Sequence, residues 1–270
     1  NNTEVILPVA KVYLRNAKLK EDTIYIALGY KFMSKAYKPD YEKCIIYIDS
    51  AISISVNLKH NIYPALLYTN KGVRHSQQGK YKKALDSYLK AIEFSKKYWN
   101  EDLFYANTHN LAFLKSELGL HKEALGIYKK TFKYEANKKI RDSSMYLMSH
   151  YVLSNSYTFN KLIDSASMMN KEGVKMAKKS KDIMYGYILN EGINEYHKAH
   201  YKIAIDSIVK TIPSFSNDFD KGLLMQAYLY LGKSYEAIND TEKTLSYYKK
   251  IDSIFRETKY VLPQTREPYE

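Results

Sequence analysis

Along this chain apolar and polar residues recur with a helical period, and the whole pattern restarts every 38 to 42 residues. Four stretches show it: Gly79, Tyr81, Ala84, Leu85 and Tyr88; Gly119, His121, Ala124, Leu125 and Tyr128; Ala199, Tyr201, Ala204, Ile205 and Ile208; and Asn239, Thr241, Thr244, Leu245 and Tyr248. In each, a small or turn residue precedes a ring or short side chain. A small residue follows three positions on, and a bulky one four later. The small residues fall at Cys44, Ala84, Ala124, Ala166, Ala204 and Thr244, with spacings of 40, 40, 42, 38 and 40. A second small position precedes each loop, at Gly72, Ala112, Ser154, Gly192 and Gly232. Residues four apart share a helix face, and small side chains let a partner helix approach. Each unit therefore reads as two antiparallel helices that meet at small residues. One such unit cannot bury its own apolar face, so units must stack.

The spacing predicts helix pairs at 23–38/41–57, 62–78/81–97, 101–118/121–137, 141–159/163–179, 182–198/201–212 and 217–237/241–257. Residues 4–19 fit one further helix with Pro8 near its first turn. The organisation expected is an N-terminal helix or cap over 1–22, an array of six pairs over 23–258, and a tail over 259–270 containing Pro263 and Pro268. The chain begins at Asn1 without a methionine, which reads as a trimmed or processed piece. Terminal repeats call for a polar capping helix, so further helical sequence is expected after Glu270.

The residues now carry a family resemblance. The chain resembles tetratricopeptide (TPR) repeats, and 65–92 matches best through Gly72, Gly79, Tyr81, Ala84, Tyr88 and Ala91. The likeness covers about residues 25–255 as six repeats. The chain departs from the pattern in its longer first loop (Tyr37 to Tyr41) and in Cys44 and Thr244, which stand where alanine is usual. Its period is also longer than the usual length of about 34. Long-period arrays of this kind resemble those of bacterial peptide-receptor regulators, large transcription activators and motor-protein light chains. The resemblance implies an all-α, right-handed superhelical solenoid of antiparallel helix pairs that binds a partner and is not an enzyme.

Composition changes this picture little. Ten glycines and six prolines leave little punctuation for a many-stranded fold. The net charge of +13 arises from 42 Lys+Arg against 29 Asp+Glu. A basic balance can signal nucleic acid, an anionic membrane or an acidic partner. Here the lysines are scattered and never form a block, so direct nucleic-acid binding is not expected of this segment. One cysteine excludes an internal disulfide and a cysteine-based zinc site. No stretch approaches the about 20 apolar residues of a membrane span. Any membrane link would lie outside this segment. The oligomeric state and the compartment stay open: extracytoplasmic for a membrane-linked regulator, cytoplasmic otherwise.

In a TPR superhelix the first helix of each pair lines the concave face, and the resemblance maps one inward register onto Tyr30, Asn70, Asn110, Val152, Asn190 and Tyr230. Three asparagines recur there, at intervals of 40 and 80. An amide offers two donors and an acceptor, enough to bond both the N–H and the C=O of an extended peptide. The plain alternative is that asparagine is abundant here and sits on polar helix faces. The neighbouring positions supply Thr69, Val73, His109, Phe113, Tyr151, Asn155, Leu189, Ile193, Tyr196, His197, Leu229 and Lys233. Apolar and aromatic walls with a few amides suit a peptide or a helix. The lysine–asparagine set of chaperone-type carboxylate clamps is missing from every repeat. Many of the 28 tyrosines, among them Tyr81, Tyr88, Tyr128, Tyr201, Tyr235 and Tyr248, fall at packing positions.

The candidate chemistry points away from catalysis. The sequence has no Gly-rich phosphate loop, G-x-S-x-G or H-E-x-x-H. His197 and His200 are three apart, but no third ligand is evident nearby, and no cofactor is expected. Cys44 occupies a small packing position. Two functions fit: the ligand-sensing region of a larger regulator, as in Bacteroidetes membrane-linked transcription regulators and histidine kinases, or a free-standing scaffold for complex assembly. A substrate-presenting subunit is a third and weaker reading.

Overall fold

The computed structural model describes residues 2–139, 143–179, 181–215 and 221–258. Among them lie thirteen α-helices and no strand: α1 (Asn2–Leu19), α2 (Thr23–Ala36), α3 (Tyr41–Ser55), α4 (Ala65–Gln77), α5 (Tyr81–Lys97), α6 (Glu101–Glu117), α7 (His121–Asn137), α8 (Ser143–Phe159), α9 (Ile163–Met176), α10 (Lys181–His197), α11 (Tyr201–Val209), α12 (Lys221–Ala237) and α13 (Thr241–Thr258). Short 3-10 turns follow α9 (Ala177–Lys179) and α11 (Ile212–Phe215). Two compact units divide within α6, at 1–114 and 115–270.

In the first unit α1 packs on α2, α2 on α3, α3 on α4 and α4 on α5. Its core gathers Cys44, Ile48, Ala51, Ile52, Tyr63 and Leu67. Cys44 is buried, and burial pushes its thiol up, as suits a packing residue. In the second unit each helix from α7 to α13 packs on the next, and α10 also touches α8 and α12. The largest core there joins α10, α11 and α12 through Leu189, Ile193, Ile208, Phe215, Tyr230 and Leu231.

The small-residue register is a row of sockets. A Cβ placed on Gly72 would come within 2.6 Å of the Tyr88 ring, and one on Gly192 within 2.6 Å of Ile208 Cγ1. Gly232 takes Tyr248 in the same way. Socket and knob are 16 residues apart in all three cases. Any side chain at the glycine would push the two helices of the pair apart.

Turn chemistry repeats with the same register. The first helix of each pair from the second to the sixth is followed by a left-handed residue: Gly79, Gly119, Lys161, Ala199 and Asn239. The next amide reaches back five residues, as in Lys80 N–H to His75 O (2.9 Å) and His200 N–H to Glu195 O (2.9 Å). This is the Schellman stop. Asp22, Asp40 and Asp240 then cap α2, α3 and α13 by accepting backbone N–H groups at 3.0–3.1 Å.

Several expected boundaries move, three of them beside prolines. Pro8 lies inside α1 and not in its first turn, because the helix begins at Asn2. It is exposed, so only one backbone bond is forfeited, on the solvent side. α4 starts after Pro64 and not at 62, since the residue before a proline is disfavoured in the helical region. α11 stops at Val209, and the chain continues through a 3-10 turn containing Pro213. The proline-containing tail lies outside the described residues.

Candidate functional site

In the first unit, α4 and α6 carry about a third of the expected groove residues. Thr69 Oγ1 donates to Asn107 Oδ1 across the two helices (2.7 Å), and Asn107 Nδ2 donates to Leu103 O (2.7 Å). Asn107 is fully buried, so this amide pins the helices and fixes the face beside it. On that face Asn70 and Asn110 are partly exposed and stand one repeat apart in the same register. Leu66 and Val73 are partly exposed beside them, and Phe113 is 50% exposed. His109 is half-buried, and burial lowers its pKa to about 4, so it is a neutral imidazole near neutral pH. Lys71 is tied to Asp49 at 2.6 Å. The patch itself is thus built from uncharged side chains, two amides among apolar neighbours, with Lys71 beside it held in an ion pair. Tyr30, in the same register on α2, is half-buried and stacks on Tyr47, whose ring also stacks on Tyr37 (5.3 Å, 10°).

The second unit treats the same register differently. Asn190 is 1% exposed, and neither its Oδ1 nor its Nδ2 has a hydrogen-bond partner among the described residues. Ile193 and Tyr230 are also buried. These three residues were expected in the groove and belong to the packing. The reason lies one turn before Asn190, at Gly186. A Cβ there would lie 2.7 Å from the Tyr151 ring, so the missing side chain draws α8 onto α10. The equivalent positions in the first unit are Leu66 and Ala106, which carry side chains. Gly186 was the available sequence signal.

The remaining expected residues lie around this closed region. Tyr151 is half-buried, with its ring edge-on to Tyr187 (5.2 Å, 84°). Asn155 is half-buried and its Oδ1 has no hydrogen-bond partner among the described residues. His197 is half-buried against Tyr230 (5.7 Å), with its pKa lowered first by burial and then by Lys161 and Lys233. Lys233 lies over the Tyr230 ring at 5.3 Å. His200 bonds Glu195 Oε2 at 2.7 Å and does not pair with His197.

Periodicity did not reveal a buried polar network in the fourth pair. Ser154 Oγ donates to Asn170 Oδ1, at the register where other pairs seat a knob in a glycine socket. Asn170 Nδ2 and Asn194 Nδ2 both donate to Glu191 Oε2 (2.9 and 3.2 Å), and Ser167 Oγ donates to Glu191 Oε1 (2.9 Å). Beside it the buried His150 bonds the Tyr187 hydroxyl through Nδ1 (2.8 Å). Burial lowers the His150 pKa, opposed by Glu172 at 3.8 Å. Among the described residues no three His, Cys, Asp or Glu side chains gather as a metal site, and no helix is long and apolar enough to cross a membrane.

No protein-family model matches the chain, and no curated protein matches it in sequence. Solved structures do. A tetratricopeptide repeat protein from Parabacteroides merdae is similar over 84% of this chain and 79% of its own, with TM-score 0.58 and 18% identity. Aspartyl phosphate phosphatase F from Bacillus subtilis is similar over 92% of this chain and 63% of its own, with TM-score 0.69 and 14% identity. A Signal Transduction ATPase with Numerous Domains from Pyrococcus horikoshii, which carries a tetratricopeptide repeat sensor, is similar over 96% of this chain and 40% of its own, with TM-score 0.61 and 19% identity. The chain thus spans less than two thirds of the last two proteins. The likenesses show the fold, an all-helical repeat of the TPR type.

Proposed function

We propose that this chain is a non-enzymatic protein- or peptide-binding repeat region whose docking face in the first unit is built by α4 and α6. The observation that carries this reading is the uncharged patch of Asn70, Asn110, Leu66, Val73 and Phe113, held in place by the buried Thr69–Asn107 bond. Exposed amides satisfy a peptide backbone whatever its sequence, and the apolar rim takes its side chains. In the second unit, taken by itself, Tyr151, Asn155, His197 and Lys233 keep partial exposure, whereas Asn190, Ile193 and Tyr230 are buried.

Within that role the chain is read as the ligand-sensing region of a larger bacterial signalling or transcription regulator. The likeness to part of a multidomain signalling ATPase with a repeat sensor supports this. A free-standing scaffold is the second reading, favoured by the match over most of the Parabacteroides merdae repeat protein.

The test is a random-peptide display selection on the full 270-residue chain. Selected peptides are expected to lose at least about tenfold in affinity to the triple variant Asn70→Ala, Asn110→Ala, Phe113→Ala, with helicity unchanged. Peptides that bind the variant as tightly as the parent would remove the face from consideration.

A further inference from the structure

The outward face of α1 carries a second apolar seam. Val5, Val9, Val12 and Leu19 are 71%, 67%, 50% and 77% exposed, and Asn16 is exposed among them. These five residues follow one another at steps of four, three, four and three. That is the heptad spacing of a coiled-coil seam, with β-branched residues at the knob positions and one polar asparagine inside it. The opposite face of α1 is already used: Ala10 and Ala17 are buried and Leu14 lies against Gly29 of α2. The seam is therefore additional to the contact that holds α1 in the unit.

The flanks of the seam are mainly basic, with Glu4 the one exposed carboxylate, at the start of the Lys11 side. Lys11, Arg15 and Lys18 run down one side, and Lys20 stands at the end of the other. Lys11 and Arg15 make no ion pair among the described residues, and Lys18 lies over the Tyr30 ring at 5.2 Å. Lys11, Arg15 and Lys18, with Leu14 and Met33, line a shallow cleft of about 290 Å³ beside the seam. A lipid surface also takes an apolar face with basic flanks, but Asn16 standing in a heptad register favours a partner helix. A second copy of the chain would bring another +13 of charge to the same place.

We infer that α1 is a docking seam for an amphipathic helix of a different protein, one whose apolar stripe is flanked by acidic residues. Its knobs would sit between Val5, Val9, Val12 and Leu19, an amide or hydroxyl would meet Asn16, and its carboxylates would enter the cleft of Lys11, Arg15 and Lys18. This surface is separate from the α4–α6 face, and neither depends on the other.

The test titrates the full chain with two synthetic helical peptides of about three heptads, identical in their valine and leucine seam, one with glutamate on both flanks and one with lysine. The acidic peptide is expected to bind at least about tenfold tighter, and the difference to shrink as salt screens the flanks. Val9→Asp and Val12→Asp each abolish binding while thermal unfolding is unchanged, since both side chains already face water. Lys11→Glu with Arg15→Glu reverses the peptide preference. Equal binding of the two peptides, binding of neither, or full binding by Val12→Asp overturns the inference. So does sedimentation as a dimer, or sedimentation with phosphatidylglycerol vesicles, that is lost in Val12→Asp: the seam would then belong to a second copy or to a lipid surface.

Discussion

The second and fourth helix pairs solve one packing problem with opposite chemistry. In the second pair, the Tyr88 ring fills the space left by Gly72, and burial raises its hydroxyl to about 12. In the fourth, Ser154 and Asn170 hold the same register, and the contact is a hydrogen bond that leads on to Glu191. The difference continues on the neighbouring first-helix faces. Beside the second pair, Asn70 and Asn110 stay partly exposed. Beside the fourth, Gly186 admits Tyr151, and the equivalent asparagine, Asn190, is enclosed. A repeat register therefore fixes where helices meet but not whether a given position is surface or core. The smallest side chain within a turn decides that.

Truncating the knob breaks the comparison most severely. Tyr88→Ala is expected to lose about 3–5 kcal/mol, because it removes a ring from a socket that cannot collapse around glycine. Asn170→Ala in the fourth pair is expected to lose about 1–3 kcal/mol, through hydrogen bonds left unpaired. Chemical denaturation of the two variants measures both, and a larger loss for Asn170→Ala would reverse the assignment of which pair rests on shape.

Acid reports on the buried imidazoles next. His75 is buried against the Tyr41 hydroxyl (2.8 Å) and is lowered to about 4 by burial, as is His109. Each takes up its proton more readily in the unfolded chain, near pH 6.5, than in the folded one. Their contribution to stability is therefore complete above pH 6.5 and is lost as the pH falls through about 4. Between pH 7 and 5 the loss is on the order of 1–2 kcal/mol per histidine. Unfolding of His75→Gln against pH should show a shallower slope, and an unchanged slope would show that His75 is not held neutral by its surroundings.

The smallest effect lies in the turns. Ala199 and Gly79 share one left-handed position, but only glycine adopts it without strain. Ala199→Gly is expected to gain about 0.5–1 kcal/mol, read as a rise in the denaturation midpoint. A loss would mean that the alanine methyl group makes a compensating contact.

The fold was legible because its determinants are local and periodic: Gly72, Ala84, Tyr88 and their counterparts repeat at a near-constant interval, and each described paired helix overlaps the span that interval predicts, with shifts of a few residues at ends such as those beside Pro64 and Pro213. The site was only half legible. Asn70, Asn110 and Asn190 look identical in a register, and Gly186 reads as one more small residue until its partner ring is known. The Ser154–Asn170–Glu191 network is built from residue types that read as solvated surface, so its burial had no sequence signature. The α1 seam escaped notice for the opposite reason: valines at heptad spacing look like core.

Thiol labelling tests the contrast between the two faces most directly. Asn110→Cys and Asn190→Cys are each reacted with a maleimide under native conditions, with the same protein in guanidinium as the reference and buried Cys44 as the internal control. The expected result is prompt labelling of Asn110→Cys, while Asn190→Cys labels only as slowly as Cys44. If Asn190→Cys reacts as fast as Asn110→Cys in the folded chain, the second unit presents the same open face as the first, and the distinction drawn between them is wrong.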